Sequence, residues 1–216
     1  MDGPVNPAGS IVETEDDPTP IVLILATTLR RAEQTPKLAA MMQKAKGNVT
    51  LRSTVDPQAA TVRFQRGRVR VERGVAADTH VTIATDINRM ADDDAPKPRV
   101  SGALAHLRLA LTISKVLEPP LGTWQQEAAR FWAGAADHSG MPAGVRVVCL
   151  DDGTELILGA EATEFEIHGT AHRLTAVFTG GSVFGEDVLN GKLYAVGSLQ
   201  HLAEITGRSL AFMMGR

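Results

Sequence analysis

A six-residue pattern that occurs twice constrains this chain more than any other feature. Gly102-Ala103-Leu104-Ala105-His106-Leu107 and Gly197-Ser198-Leu199-Gln200-His201-Leu202 both read Gly-small-Leu-x-His-Leu. Before the second glycine, apolar residues alternate as they do in a strand, and after it they follow helical spacing. The pattern therefore predicts a short strand that turns at a glycine directly into an apolar helix, and it predicts this arrangement twice.

Two further matches lie in the same order along the chain. Thr79–Ile83 resembles Thr163–Ile167, and Arg89-Met90 follows the earlier segment as Arg173-Leu174 follows the later one. The matched glycines are 95 residues apart and the matched threonines 84, so the second copy carries 11 extra residues, which we place at the loop 180–185. Solenoid repeats run about 20–50 residues. The longer period predicts a tandem duplication of two small domains.

The length of 216 residues allows one large domain or two small ones, and an apolar content of 44% is enough to fill a core. A net charge of −3 gives no reason to expect nucleic acid as a partner. A single cysteine, Cys149, excludes a disulfide framework within one chain. The apolar run Ile21–Ala26 is too short to span a bilayer, which takes about 20 residues. We therefore expect a soluble cytoplasmic protein.

The first half predicts an acidic disordered tail followed by a domain of helices and strands. Residues 1–19 are rich in Pro, Gly and acidic residues, so we expect them to be disordered. Domain 1 is predicted over residues 20–118. The predicted helices start at Pro20, Pro36 and Leu104, and the predicted strands are Val49–Ser53, Ala60–Gln65, Arg68–Arg73, Val81–Thr85 and Arg99–Ser101. The helix Leu104–Leu117 has almost no polar face, which predicts central burial or contact with a lipid.

The second half, residues 119–216, begins at Pro119-Pro120 and is predicted as domain 2. Thr123 and Gln126 form a capping box for a helix. Asp152-Gly153 predicts a hairpin between two apolar runs, which we match to the two strands on either side of Gly67. On this interpretation the second copy lacks a counterpart of Val49–Ser53.

Each half resembles the sterol carrier protein type 2 domain. The residues that carry the resemblance are the strand 162–167, the segment Asn190–Gly197 with its Gly191-Lys192 start, and the closing helix. In the first half the matching segments are 77–83 and Arg99–Gly102, where Pro98-Arg99 replaces Gly-Lys. We therefore predict an α+β fold with two tandem sterol-carrier-like domains, the first of them degenerate. Each is expected to be a mostly antiparallel sheet covered on one face by helices.

The resemblance implies non-covalent binding of a sterol, fatty acid or acyl-CoA in a hydrophobic tunnel between sheet and helices, without a catalytic centre or a cofactor. The second half supplies the predicted lining: Phe165, Ile167, Phe178, Phe184, Leu193, Tyr194, Leu199, Leu202, Ile205, Phe212 and Met213. We expect the loop 180–185 to form a mobile flap. Periodicity does not separate a tunnel wall from a filled core, so that alternative stays open.

Two other functions remain possible on the sequence. The apolar run Ile21–Ala26 motivates an assembly subunit that contacts a protein partner or forms a homodimer. An acyl-thioester enzyme needs a positioned acid or base, and the sequence names none. Five arginines, Arg63, Arg66, Arg68, Arg70 and Arg73, surround one hairpin and would allow at most a peripheral contact with a membrane. His168 and His172 are a weak metal pair.

Overall fold

The computed structural model describes residues 10–65, 67–87 and 96–215. The helices are α1 (Pro20–Glu33), α2 (Pro36–Lys44), α3 (Leu107–Leu117), α4 (Trp124–Ala135), α5 (Ala171–Thr179), α6 (Phe184–Leu189) and α7 (Leu199–Met213). The strands are β1 (Val12–Thr14), β2 (Lys46–Ser53), β3 (Ala59–Gln65), β4 (Arg68–Arg73), β5 (Val81–Thr85), β6 (Arg99–Ser101), β7 (Gly144–Cys149), β8 (Glu155–Gly159), β9 (Phe165–Gly169) and β10 (Tyr194–Val196). The sequence also predicts a short helix at Ile87–Met90, of which residues 88–90 lie outside the described residues.

The chain divides into two compact units after Pro120. Unit 1 is the chain up to Pro120 together with the residues from Met214, and unit 2 is Leu121–Met213. Each unit contains its own sheet and its own buried apolar cluster. The fold is therefore α+β with two sheets. The predicted boundary after residue 118 lies within three residues of this division.

Unit 1 is a six-stranded sheet in the order β1-β4-β3-β2-β5-β6. Helices α1, α2 and α3 pack together against it and enclose one apolar cluster. Ile21–Leu23, Leu25 and Ala26 are all buried in α1. The apolar run that motivated a protein partner is thus covered within the chain, because α1 lies over β3 and β4. It no longer supports an assembly role.

The expectation of disorder is wrong for part of the N-terminal segment. Val12–Thr14 form β1, which pairs in parallel with β4, and Val12 is fully buried. Ser10 and the backbone N–H of Ile11 donate hydrogen bonds to the carboxylate of Glu33. The acidic composition predicted that this segment is exposed to solvent. Instead, Val12–Thr14 pair with β4 and cover its edge.

Unit 2 is a four-stranded sheet in the order β10-β9-β7-β8. The predicted capping box is confirmed: the Thr123 hydroxyl accepts a hydrogen bond from the Gln126 backbone N–H, and the Gln126 side chain accepts one from that of Thr123. The predicted hairpin is also confirmed. Gly153 has φ +72°, and its N–H donates to the carbonyl oxygen of Cys149.

The two sheets share one connectivity. In unit 1, β2 pairs antiparallel with β3 and parallel with β5, and β6 pairs antiparallel with β5. In unit 2, β7 pairs antiparallel with β8 and parallel with β9, and β10 pairs antiparallel with β9. Thus β7, β8, β9 and β10 correspond to β2, β3, β5 and β6. Our prediction matched the unit 2 hairpin to the strands around Gly67, and this is wrong. Because β7 takes the place of β2, the strands of unit 1 without a counterpart in unit 2 are β4 and β1.

The registers of the pairs agree with the sequence offset of 84. Val81 pairs with Val49 across β5 and β2, and Phe165 pairs with Val145 across β9 and β7. Each is the first residue pair of its parallel ladder, so Val81 and Phe165 occupy equivalent positions in the two sheets, as they do in the sequence match. The structure shows that the two units share a strand topology. That they arose by duplication stays a prediction.

The repeated glycine has the same physical cause in both units. A Cβ added to Gly102 would overlap the carbonyl oxygen of His80, and φ at Gly102 is +78°. A Cβ added to Gly197 would overlap the ring of Phe165 and lie 3.1 Å from the carbonyl oxygen of Glu164, and φ there is +150°. The last strand can turn into the last helix only by passing this close to the neighbouring strand, and glycine permits it.

The predicted burial of the helix after Gly102 is only half correct. The helix begins at Leu107 rather than Leu104, and its buried residues are Leu109, Thr112, Ile113 and Val116. Leu104, Leu107 and Leu111 are 98%, 57% and 51% exposed. The sequence shows an apolar helix on all sides, whereas only one side of α3 faces the unit 1 cluster.

Candidate functional site

The candidate ligand site is the apolar cluster of unit 2, which lies between the sheet and helices α4 to α7. The buried faces of β7 and β9 contribute Val145, Val147, Phe165 and Ile167. The helices contribute the remaining large buried side chains: Trp124, Phe131, Leu174, Val177, Phe178, Phe184 and Ile205. The other large buried side chains of the cluster are those of Leu193, Cys149 and Leu158.

Most of the predicted lining residues belong to this cluster. Six are buried in it: Phe165, Ile167, Phe178, Phe184, Leu193 and Ile205. Leu202 and Phe212 are partly buried and pack against it. Met213 is half-buried at the end of α7. Tyr194 and Leu199 are 62% and 82% exposed, so they do not line the cluster. Contact of any of these residues with a ligand stays a prediction.

The centre of the cluster is aromatic. The ring of Phe131 lies 5.7 Å from that of Phe178 and 5.8 Å from that of Phe212, measured between centroids. Phe165 and Phe184 form a second pair at 6.4 Å. Phe131 was not among the predicted lining residues, although its position on the apolar face of α4 was the available signal. Phe131 therefore contacts Phe178 of α5 and Phe212 of α7.

The predicted mobile flap at 180–185 is instead a helix end followed by a helix start. Gly180 ends α5 with φ +74°, and the N–H of Gly181 donates to the carbonyl oxygen of Ala176 at 2.7 Å. Phe184 opens α6 and is buried. The glycines also allow α7 to approach: Cβ atoms added at Gly180 and Gly185 would lie 2.9 Å from Met213 Cα and Thr206 Oγ1. Close packing against α7 accounts for Gly180 and Gly185.

Helix α7 closes the cluster with one stripe of side chains. Leu202, Ile205, Ser209 and Phe212 are spaced three or four residues apart, which places them on one face of the helix. Three of the four pack in the apolar cluster. Ser209 is 2% exposed, and its hydroxyl has no hydrogen-bond partner among the described residues. Sequence reasoning missed Ser209, because a lone serine in an apolar stripe is not a motif.

The opposite face of the unit 2 sheet carries a network of charges. The Arg146 Nε donates to Glu155 Oε2 at 2.9 Å, and the Arg146 guanidinium also lies 3.5 Å from Glu166 Oε1. His168 Nε2 lies 2.9 Å from Glu166 Oε2. The hydrogen bond with His168, and then the charge of Arg146, hold the pKa of Glu166 below its usual range. His168 therefore has a carboxylate partner, and no group of three or more metal-ligating side chains occurs among the described residues.

This network predicts a loss of stability in acid. The pKa of Glu166 is lower in the folded chain than its ordinary value of 4.5, so its contribution is present above that value and is lost as the pH falls through the folded pKa. Chemical denaturation followed by Trp124 and Trp132 fluorescence is the measurement. Between about pH 5 and pH 3 we expect wild type to lose more stability than Glu166→Gln.

The matched control for this experiment is Glu161→Gln. Glu161 is exposed and has no ion pair among the residues that the structure describes. The Glu161→Gln curve is expected to run parallel to that of wild type over the same pH range. If the Glu166→Gln curve also runs parallel, the network does not couple Glu166 to folding.

The arginine patch of unit 1 is largely neutralised by ion pairs. The pairs are Arg63 with Glu72 and Asp78, at 2.8 and 3.2 Å, Arg70 with Glu72 at 2.9 Å, and Arg73 with Glu15 at 2.9 Å. Arg66 lies outside the described residues. Arg68 is exposed and has no ion pair among the described residues. The ion pairs therefore leave Arg63, Arg70 and Arg73 with little free charge to offer an anionic lipid. None of the described helices is long and apolar enough to cross a bilayer.

No family model and no curated protein matches this chain. One solved structure is similar to it, the "UbiJ-SCP2 Ubiquinone synthesis protein". The likeness covers 85% of this chain and 82% of that chain, with 8% sequence identity and a TM-score of 0.23. A TM-score of this size is too low to bear on the fold or the function.

Proposed function

We propose that unit 2 binds a hydrophobic small molecule of the sterol, fatty acid or acyl-CoA class beneath α7, without catalysis. The ligand's apolar part would lie among the aromatic side chains of the cluster, and a polar group of the ligand would hydrogen-bond to the hydroxyl of Ser209. The observation that carries the proposal is this hydroxyl, which is buried on the cluster-facing stripe of α7 and has no partner among the described residues.

A serine at this position is costly without a ligand. A buried polar group that makes no hydrogen bond costs about 1–3 kcal/mol, and alanine would fill nearly the same space without that cost. A ligand carbonyl or hydroxyl would remove the cost by pairing with Ser209. Each methylene of the same ligand that leaves water contributes about 0.8 kcal/mol. The apolar cluster and the single hydroxyl are therefore complementary to an amphipathic guest.

Helix α7 is the element through which such a ligand would enter. It packs on α4, α5 and α6, and only two of its side chains, Ile205 and Ser209, are buried. The other side chains of its cluster-facing stripe are partly exposed. Displacing α7 would thus open the cluster at a smaller loss of buried apolar area than displacing α4, which buries Trp124, Ala128, Phe131 and Ala135.

A second candidate function is a subunit of a protein assembly. Unit 2 exposes four apolar side chains near its last strand: Leu189, Tyr194, Val196 and Leu199. Val196 lies in the edge strand β10, which presents backbone groups that another chain can pair with. Size-exclusion chromatography with light scattering tests this function. A monomer at high concentration that captures no partner would weaken it.

The binding proposal is tested by titrating the purified chain with a fluorescent fatty acid and a fluorescent sterol. Native mass spectrometry before and after solvent extraction shows whether a lipid is bound on purification. We expect Ser209→Ala to weaken binding about 2–10-fold, which corresponds to one hydrogen bond, and at the same time to stabilise the unliganded protein. A larger side chain, in Ser209→Leu, is expected to abolish binding by filling the space of the ligand.

The matched control is Ser114→Ala, which changes an exposed serine in the middle of α3. It should alter neither the affinity for the probe nor the stability of unit 2. A purely structural role of Ser209 would change stability and leave affinity unchanged, and that result would contradict the role given to the hydroxyl. Wild-type protein that contains no lipid and takes up neither probe would contradict the proposed function itself.

A further inference from the structure

We propose that the exposed side of α3 in unit 1 docks on an anionic lipid surface. This surface, the leucine face, consists of Leu104, Leu107 and Leu111 with Arg108 and Lys115 beside them. The proposal does not depend on ligand binding by unit 2, because it is carried by different residues in the other unit.

The three leucines form one projecting apolar row. Their spacing of three and four residues places them on the same side of the helix and of the turn that precedes it. Leu104 is 98% exposed, and Leu107 and Leu111 are each more than half exposed. The opposite side of α3, with Leu109, Ile113 and Val116, is buried in the unit 1 cluster. The row therefore points away from the core on a helix that is firmly packed.

Within residues 96–117 the charged side chains are all cationic, and the next charged residue along the chain is Glu118. Residues 96–117 contain four cationic side chains, Lys97, Arg99, Arg108 and Lys115, and no carboxylate. These four have no ion pair among the described residues, unlike Arg63, Arg70 and Arg73 of the β3–β4 hairpin. Helical spacing sets Arg108 and Lys115, seven residues apart, along one flank of the leucine row.

This combination favours a lipid surface over a protein partner. A helix with leucines on one side and cations beside them can lower its apolar side chains into the acyl boundary while the cations contact anionic headgroups. Long cationic side chains reach from an apolar contact to the headgroup level. A protein partner for the same row would need a groove with acidic margins. A lipid surface with anionic headgroups needs no such groove, and its negative charge complements Arg108 and Lys115, which have no ion pair among the described residues.

Unit 2 supplies a natural control for the argument. Leu199 occupies the position equivalent to Leu104 and is 82% exposed. No lysine or arginine lies on α7 before Arg208, which pairs with Glu204. An equivalent leucine thus projects in both units, and within the described residues the one in unit 1 is accompanied by cations that have no ion pair. The proposal therefore assigns lipid docking to α3 and not to α7.

The experiment is co-sedimentation of the full chain with vesicles of phosphatidylcholine, with and without phosphatidylserine. We expect binding only with phosphatidylserine and weaker binding at high salt. Leu104→Glu should lower the partition coefficient about tenfold, because it removes one inserted leucine and adds a charge. Arg108→Gln with Lys115→Gln should also lower binding, and Leu199→Glu should leave it within about twofold of wild type.

Two results would overturn the proposal. One is an absence of binding to phosphatidylserine vesicles by a folded wild-type chain. The other is an unchanged partition coefficient for Leu104→Glu together with a fall in oligomer mass by light scattering, which would show that the leucine face contacts a second copy of the chain. Circular dichroism confirms folding of each variant, and Leu104 is exposed enough for substitution without loss of the core.

Discussion

Gly102→Ala is expected to destabilise unit 1 by about 2–5 kcal/mol. The left-handed backbone region costs a non-glycine residue about 1–2 kcal/mol, and φ at Gly102 is +78°. The added methyl group would also overlap the carbonyl oxygen of His80, so β5 or β6 must shift, and overpacking of this kind costs about 1–3 kcal/mol. Both tryptophans lie in unit 2. Unfolding of unit 1 is therefore measured by hydrogen exchange of peptides from β2 to β6.

Gly74→Ala is the matched control, because it separates the two causes. Gly74 has φ +82° and open space where a Cβ would lie. Gly74→Ala should therefore lower the stability of unit 1 only by the backbone cost of about 1–2 kcal/mol. Equal losses for Gly102→Ala and Gly74→Ala would show that the close approach to His80 is relieved without cost.

Phe131→Ala is expected to destabilise unit 2 by about 3–5 kcal/mol. The side chain is buried, and its ring contacts those of Phe178 and Phe212. Truncation removes both contacts and leaves a cavity that the surrounding helices fill only in part. Fluorescence of Trp124 and Trp132 during urea unfolding reports this unit selectively, since unit 1 contains no tryptophan.

Phe131→Leu serves as the volume-conserving comparison. Leucine keeps most of the apolar volume and loses the ring, so we expect a cost below about 1.5 kcal/mol. A loss below about 1 kcal/mol for Phe131→Ala would contradict close packing at this position, because a filled core does not tolerate such a cavity. In that case the centre of the cluster already contains space.

Parts of the fold were accessible from local sequence. The capping box at Thr123 and the hairpin at Gly153 follow from short-range chemistry, and the structure confirms them. The direct turn from strand to helix is confirmed at Gly197, whereas after Gly102 the helix begins only at Leu107. The repeat also aligned Val81 with Phe165, and the parallel pairs β2–β5 and β7–β9 give the same alignment. These features depend on residues within a few positions of one another or on a direct match.

Other parts depended on contacts between distant segments. Alternation identifies a strand but not its neighbour, so the unit 2 hairpin was matched to the wrong strands of unit 1. The same limit concealed that α1 is covered by its own sheet and that β1 pairs with β4. Periodicity also predicted burial for Leu104, which lies on the surface, because a helix that is apolar on all sides gives no sign of which side meets the core.

The candidate site divides in the same way. The sequence alone determined that the second half contains an apolar stripe on its last helix and aromatic residues to pack beneath it. Only the tertiary structure decided that Phe131 joins two of those aromatics, that Tyr194 and Leu199 face solvent, and that the hydroxyl of Ser209 is buried without a partner among the described residues. The physical reason is that burial and hydrogen bonding belong to a set of residues brought together from several elements, whereas periodicity belongs to one.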